Sequence, residues 1–316
     1  MTALLDAPPA TAAPPATVAP PATVAPPATA ASGRSLVETK AAVFEFWQTS
    51  DAYRDFGPEK LAETPHRRRV ADLLGHRRDA LDLACGDGNN LPHLPAGTRY
   101  TGVDCSPIGV RRLLSRRDHP AMSKRGLVAD VERLPLPDHA VDAVVSTFAL
   151  EHFLNVPAIL AECDRVLRPG GRLILIGPDF GLPNSFGPPQ ADALLGRRVP
   201  LLRYAAGRLL RRAADRLTGR SGFEYVTPRP LSDATYVPDA DMTHLTDHRE
   251  IARHLRPRGY RTVALETSAR PPRWKRLTAC LGLWGQSGDV LLCLEKSPSA
   301  PPTPLTPPRV RQQTIA

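Results

Sequence analysis

The chain has 316 residues and a formal charge of +9 at neutral pH, with Arg far outnumbering Lys. Its five cysteines stand at 85, 105, 163, 280 and 293, an odd and scattered set with no CxxC pair, which argues against a disulfide framework and against a metal site. No apolar run approaches ~18 residues and the first basic residue is Arg34, so neither a membrane-spanning helix nor a signal peptide is expected, and a cytoplasmic protein follows.

Residues 1–35 are dominated by Ala, Pro and Thr, with a near-repeat of APPATV. Such a segment has too little apolar surface to offset its ordering entropy, and it is expected to be disordered or extended. At ~3.1 Å per residue its Ala/Pro/Thr stretch, residues 7–31, could reach about 75 Å as a polyproline-like spacer. The Pro-rich stretch 297–316 is expected to be a second disordered tail. Between them, residues 36–296 are enough for one well-buried α/β core.

Apolar residues at helical spacing run through 36–56, and a second helix is expected from about Pro58 to Leu74. Ala80–Ala84 reads as a strand and runs directly into Cys85-Gly86-Asp87-Gly88. Tyr100–Val103 is a second strand ending at Asp104, and Ser106 can cap the helix after it. Gly126–Ala129 is a third strand, and Val141–Ser146, nearly all apolar, a fourth. A helix over Pro157–Leu167 stops at Arg-Pro-Gly-Gly, and Arg172–Ile176 is a fifth strand. Strands that alternate with helices imply crossover connections, and continuously apolar strands imply a sheet covered on both faces.

Nearly seventy residues then separate the fifth strand from a helix that Thr246 or Asp247 can cap. About 179–243 is therefore expected to be an insertion or lid. Within it, 200–217 can form an amphipathic helix. Leu202, Ala205, Ala206, Leu209, Ala213 and Leu217 share one side, with Arg203, Arg208, Arg211, Arg212 and Arg216 largely elsewhere. That helix can cover a hydrophobic acceptor, rest on an anionic membrane surface or grip a phosphorylated carrier. The first is preferred, because closing over a small apolar molecule needs only the Leu/Ala side. Two last strands are expected at about 260–267 and 289–295.

Ligands of open α/β sheets bind at the carboxyl ends of the strands, near the point where the strand order reverses. The turn at Gly86 and Gly88 lets the backbone approach a ligand closely. Asp104 lies 18 residues beyond Gly86 (104 − 86), where a carboxylate can accept from both ribose hydroxyls. A dinucleotide site would need a third glycine, but Leu91 occupies that position, with Pro92 and Pro95 close behind.

Four stretches in this order, LDLACGDGNNL at 81–91, YTGVDCS at 100–106, ADVERLPLPDHAVDAVVSTFALEHF at 129–153 and RVLRPGGRLILIGP at 165–178, resemble the core of class I S-adenosylmethionine-dependent methyltransferases, close to their quinone-biosynthesis and small-molecule branch. FWQTSDAY at 46–53 and GDVLLCLEKS at 288–297 resemble the family's entry helix and last strand more loosely.

The resemblance implies a Rossmann-like doubly wound α/β sheet, mostly parallel with an antiparallel last strand, plus a helical insertion. It implies S-adenosyl-L-methionine as cofactor. Asp82, Gly86 and Gly88 would surround its methionine part. Asp104 would take the ribose, with Cys105 beside the adenine. Asp130 would accept from the adenine amino group, Val131 would pack on the ring, and Ser146 would lie near the amino-acid end. Trp47 and Tyr53 are candidates to close over the cofactor. Methyl transfer needs a base only if the acceptor must lose a proton. His152, with Glu151 beside it, is the candidate, and His244 a weaker one.

The acceptor is expected to be a small molecule, hydrophobic or carrier-linked, with peripheral membrane contact through 200–217 left open. No specific nucleic acid is expected. The chain has neither the Pro-Cys dipeptide that would offer a cytosine-attacking thiol nor an Asn-Pro-Pro-Tyr or Asp-Pro-Pro-Tyr to bind a flipped base. An RNA or other macromolecule methyltransferase, or a non-catalytic cofactor-binding domain, are the alternatives.

Overall fold

The computed structural model of the chain describes residues 36–50, 65–117, 123–180, 201–218, 222–225, 243–268, 289–298 and 309–312. The expected disorder of 1–35, Tyr53 and the start of the second helix lie outside the described residues. Six helices are described: α1 (Leu36–Thr49), α2 (Pro65–Leu74), α3 (Pro107–Ser115), α4 (Val156–Val166), α5 (Leu201–Thr218) and α6 (His248–Leu255). The strands are β1 (Asp79–Leu83), β2 (Arg99–Asp104), β3 (Ser123–Val128), β4 (Val141–Thr147), β5 (Leu167–Pro178), β6 (Gly222–Tyr225), β7 (Tyr260–Thr267), β8 (Asp289–Lys296) and β9 (Arg309–Gln312).

Seven strands form one sheet in the order β3-β2-β1-β4-β5-β8-β7. The first five are mutually parallel, and β8 runs antiparallel between β5 and β7. This is the expected mostly parallel sheet with an antiparallel last strand. The period of two along each central strand builds both faces. Val144, Leu173, Leu175, Leu292 and Leu294 pack on one face with α4, α6 and β6. Ala143, Val145, Ile174, Ile176, Leu291 and Cys293 pack on the other with α2 and α3. Helix caps follow the sequence: Ser106 Oγ accepts from Gly109 N, and Asp247 accepts from Arg249 N and Glu250 N.

At the amino-terminal end of the sheet a network of charges closes the fold. Arg168 pairs with Asp79 at 2.7 Å and Asp142 at 2.6 Å, and Asp79 is also held by Arg99. Hydrogen bonds from Arg99 and Arg168 pull the Asp79 carboxyl down to about 2. The Arg-Pro-Gly-Gly turn carries this network, and Gly171 is needed there because a Cβ would lie 2.8 Å from the Arg168 carbonyl.

Three expectations for the carboxyl-terminal half are corrected. The tail 297–316 is not wholly without structure: Arg309–Gln312 pairs in parallel with Gly222–Tyr225 as a second, two-stranded sheet. Composition hid this, because the Pro-rich stretch dominates the tail, whereas the open edge of β6 offers ladder partners that no local pattern reveals. The insertion therefore also holds a strand beside its helix.

The direction of α5 is also reversed. Its apolar side was expected to face inward as a lid. Instead Asp215 is buried, Arg212 pairs with Asp247 at 2.6 Å, and Ala206, Leu209, Leu210, Ala213, Ala214 and Leu217 are exposed. Leu210 is 72% and Leu217 88% exposed. The periodicity of 200–217 was real, but periodicity cannot say which side faces the domain.

Finally, His244 is a core residue. It lies between Phe223 and Tyr225, with ring centroids 5.8 Å and 5.4 Å away, and its Nδ1 is 3.2 Å from the Leu150 carbonyl. Burial pushes it down to about 3, and pushes His254, edge-on to Phe223, down to about 4. A ring so enclosed fits packing rather than base chemistry.

Both rings stay neutral in the fold while an unfolded chain protonates them near 6.5. The unfolded state binds more protons between about pH 6.5 and 4, so stability falls as pH falls through that window. Urea titrations at pH 7.5 and pH 4.5 should show a smaller acid loss in His244→Phe than in the unaltered chain. Equal losses would contradict the buried neutral ring.

Candidate functional site

The strand order reverses between β1 and β4: β2 and β3 lie to one side, β5 and β8 to the other. The carboxyl-terminal tips of β1, β2 and β4 therefore meet at the switch point. Asp104, at the tip of β2, is 3% exposed. Its Oδ2 accepts from Gly86 N and its Oδ1 from Ser106 N, both at 2.8 Å. The carboxylate thus ties the Gly86 turn to the start of α3.

Asp82, one strand-pitch below the turn, is 2% exposed. It accepts from Tyr100 Oη at 2.6 Å and Asn90 Nδ2 at 2.9 Å. Asn90 Oδ1 accepts in turn from Thr147 Oγ1 at 3.0 Å. Burial raises the Asp82 carboxyl to about 6, against the lowering effect of Tyr100 and Asn90. Both of its oxygens are engaged by the protein, so it buttresses the loop from β1 to β4. Ser146 Oγ donates to the Leu83 carbonyl at 3.0 Å and joins the same two strands.

The glycines divide their work. Gly86 and Gly88 both have positive φ, at 52° and 86°. At Gly88 a Cβ would meet Leu113 Cδ1 at 2.5 Å, so this glycine is required by the packing of α3 as well as by its conformation. Two non-glycine residues share the left-handed conformation at the same end of the sheet: Ala84 (φ 54°) after β1 and Phe148 (φ 52°) after β4. Strain of this kind persists where the surroundings over-determine it, and it collects at binding sites.

At the tip of β3, Asp130 is partly exposed. Its Oδ1 accepts from Glu132 N at 2.9 Å, and its Oδ2 pairs with Lys40 of α1 at 2.6 Å. Lys40 also pairs with Glu132 at 2.8 Å. Burial opposes the Lys40 charge, but the two carboxylates outweigh it and hold the ammonium above its ordinary range. Cys105 and Val131 are half-buried at the tips of β2 and β3. Trp47 lies on α1, edge-on to Phe46 at 5.3 Å.

Past β4, a single 3-10 turn (Leu150–His152) carries the candidate base. The His152 side chain is 23% exposed, and its Nε2 stands 3.9 Å from Glu151 Oε1, which is buried. The Glu151 carbonyl accepts from Thr243 N and His244 N, which docks the segment before α6 against this turn. Sequence reasoning missed Lys40, Asn90, Tyr100 and Arg67. Only Asn90 had a local signal, within the Gly-Asn-Asn of the turn. The others reach the site from distant positions.

An L-residue in the left-handed region costs ~1–2 kcal/mol, while a glycine there costs unfolded-state entropy of about 0.5–1 kcal/mol. Ala84→Gly should therefore be neutral or stabilising by up to ~1 kcal/mol. Ala84→Val, β-branched at positive φ, should lose ~2 kcal/mol or more. Denaturant midpoints of both variants check this, and an Ala84→Val chain as stable as the original would contradict the conformation.

Residues 81–175 match the family described as methyltransferase domain. A demethylmenaquinone methyltransferase of Thermus thermophilus is 34% identical over 137 residues, covering 42% of this chain and 59% of that protein. A demethylmenaquinone methyltransferase of Deinococcus radiodurans is 29% identical over 223 residues, 69% of this chain and 79% of that protein. A phthiotriol/phenolphthiotriol dimycocerosates methyltransferase of Mycobacterium leprae is 35% identical over 129 residues, 37% of this chain and 46% of that protein. The chain spans about half the length of several curated relatives it matches. Residues 81–175, with the strand order and acidic strand tips described above, thus match the methyltransferase domain family.

Proposed function

We propose that the whole chain methylates an apolar small molecule that it takes from an anionic membrane surface, working from the cytoplasm. The outward apolar side of α5 carries this reading. Leu209, Leu210 and Leu217 stand exposed on a helix that also bears five arginines, the pairing of apolar residues and cationic charge that suits an anionic interface. Free Cys85, Cys163 and Cys293 are compatible with a reducing compartment. Among the described residues no helix is long and apolar enough to cross a membrane, so contact would be peripheral. Two of the relatives are demethylmenaquinone methyltransferases, which suits an apolar small-molecule acceptor.

The residues at the strand tips suit the cofactor. Asp104 offers two acceptors for a ribose, Asp130 an acceptor for the adenine amino group, and the Gly86 turn a close main-chain approach. Bound S-adenosylmethionine would supply a sulfonium methyl for in-line displacement by an acceptor atom, with S-adenosylhomocysteine as the leaving group. The chain contributes mainly by holding the acceptor in that line. His152, partly exposed beside the switch point, takes the acceptor's proton where one must leave, and the buried Glu151 carboxylate stabilises the imidazolium that results.

Transfer of labelled methyl into a lipid-soluble quinone lacking one ring methyl, carried in phosphatidylglycerol vesicles, tests the activity. Asp104→Ala should weaken S-adenosylhomocysteine binding about tenfold or more, the scale for losing hydrogen bonds to a charged group. Leu210→Ser with Leu217→Ser should reduce vesicle co-sedimentation about tenfold or more while leaving cofactor affinity intact. Undiminished vesicle binding in the double variant would reject the role of α5.

A further inference from the structure

The segment 243–248, which leads into α6, is polar in sequence yet lies inside the protein. Thr243, His244, Thr246 and His248 are each at most 1% exposed. Its main chain is strapped across the carboxyl-terminal ends of two strands. Thr243 N and His244 N donate to the Glu151 carbonyl past β4, and Phe180 N, past β5, donates to the Thr246 carbonyl at 2.7 Å. The His244 ring is held by Phe223, Tyr225 and the Leu150 carbonyl. The other side chains have no such company. Thr243 Oγ1, Thr246 Oγ1 and both ring nitrogens of His248 are buried and find no hydrogen-bond partner among the described residues. Buried polar atoms of this kind cost free energy until a partner meets them.

His248 stands where a ligand beside the switch point can reach it. Its Nδ1 is 3.7 Å from Asp179 Oδ2, beyond direct hydrogen-bond reach. Asp179 follows directly on β5 and is 9% exposed, so the carboxylate borders the surface and the ring lies behind it. Counting by two along β5 puts Asp179 on the same side as Gly177. The Glu151 carboxylate lies against Gly177, its Oε2 3.5 Å from where a Cβ would stand. Asp179 and His248 therefore neighbour the turn that carries Glu151 and His152. They belong to the β5 side of the switch point, whereas Asp104 and Asp130 belong to the β2 and β3 side.

We propose that Asp179 and His248 form a polar subsite for the methyl acceptor and select an acceptor that carries a hydroxyl group. The hydroxyl donates its proton to Asp179 Oδ2, and its oxygen accepts from His248 Nδ1–H. A separation of 3.7 Å between those two atoms lets one oxygen stand about 2.8 Å from both. A hydroxyl suits the pair better than a carbonyl or an ether, because only the hydroxyl donates as well as accepts. This rests on the apolar small-molecule reading and narrows it to apolar molecules with a hydroxyl set against this wall. An analogue without the hydroxyl is rejected because the buried groups of the site are then left unpaired.

Calorimetry on the full chain with S-adenosylhomocysteine present, using two probes of one shape, tests the subsite. 1-Naphthol carries the hydroxyl, and 1-methylnaphthalene replaces it by a methyl group of similar size. His248→Phe keeps a ring and removes both nitrogens. It should bind 1-naphthol roughly tenfold more weakly than the unaltered chain does, while 1-methylnaphthalene stays within about threefold. Its melting temperature should hold or rise, because buried nitrogens without partners have gone. Asp179→Asn, at the rim, exchanges a charged acceptor for a neutral one and should weaken 1-naphthol selectively by about fivefold. That variant decides the matter if the His248→Phe chain does not fold. Equal weakening of both probes, or undiminished 1-naphthol affinity in Asp179→Asn, overturns the subsite and leaves the apolar-acceptor reading in place. If neither probe binds the unaltered chain, the apolar-acceptor reading and the subsite fall together.

Discussion

The site depends on one buried carboxylate held by two main-chain donors. Asp104 holds Gly86 N with one oxygen and Ser106 N with the other. The turn after β1 and the first turn of α3 are thereby fixed to a common point at the tip of β2. Without that tie, the left-handed residues at 84, 86 and 88 would have no reason to remain in a conformation that local sterics disfavour for alanine. A second buried carboxylate, Asp82, performs the same service one layer lower, where Tyr100, Asn90 and Thr147 link β2, the turn and β4. The rigid loop is thus a consequence of two desolvated acids whose hydrogen bonds are made within the protein.

The two ends of the sheet handle charge differently. At the amino-terminal end, Arg168 with Asp79 and Asp142, and Arg77 and Arg172 with Glu295, form closed pairs at 2.6–3.1 Å. These groups are mutually satisfied and leave nothing for a ligand. At the carboxyl-terminal end, Arg67 is buried with its Nε lacking a hydrogen-bond partner among the described residues, and Ala84 and Phe148 sit at positive φ.

The central sheet was legible because its strands are short, largely apolar runs bounded by turn chemistry. Leu81–Leu83, Val141–Ser146 and Leu173–Ile176 could only be covered strands, and the Pro-Gly-Gly after α4 could only be a stop. The acidic tips at 104 and 130 were legible for the same reason, since each ends such a run. Lys40 and Arg67 were not. Their partners lie just past β3 and at the end of β4, and the sequence separation carries no trace of the contact. The β6–β9 pair was hidden likewise: four residues at 309–312 form a strand only because an open edge 87 residues earlier (309 − 222) is available.

The amphipathic helix marks the boundary of what periodicity can decide. A 3.6-residue repeat fixes which residues share a side, and the repeat in 200–217 did group its leucines and alanines. The inward side was chosen by charge instead. Arg212 reaches Asp247, the residue that caps α6, and Asp215 is buried beneath the helix. Turning the leucines inward would have broken the Arg212–Asp247 pair and left Asp247 to serve only as a cap, while setting leucines against the polar surface formed by Asp247 and Glu250. The outward leucines therefore follow from the acidic character of the segment beneath the helix. Any surface that covers them must be apolar and tolerate cationic charge, a requirement that an anionic lipid interface meets.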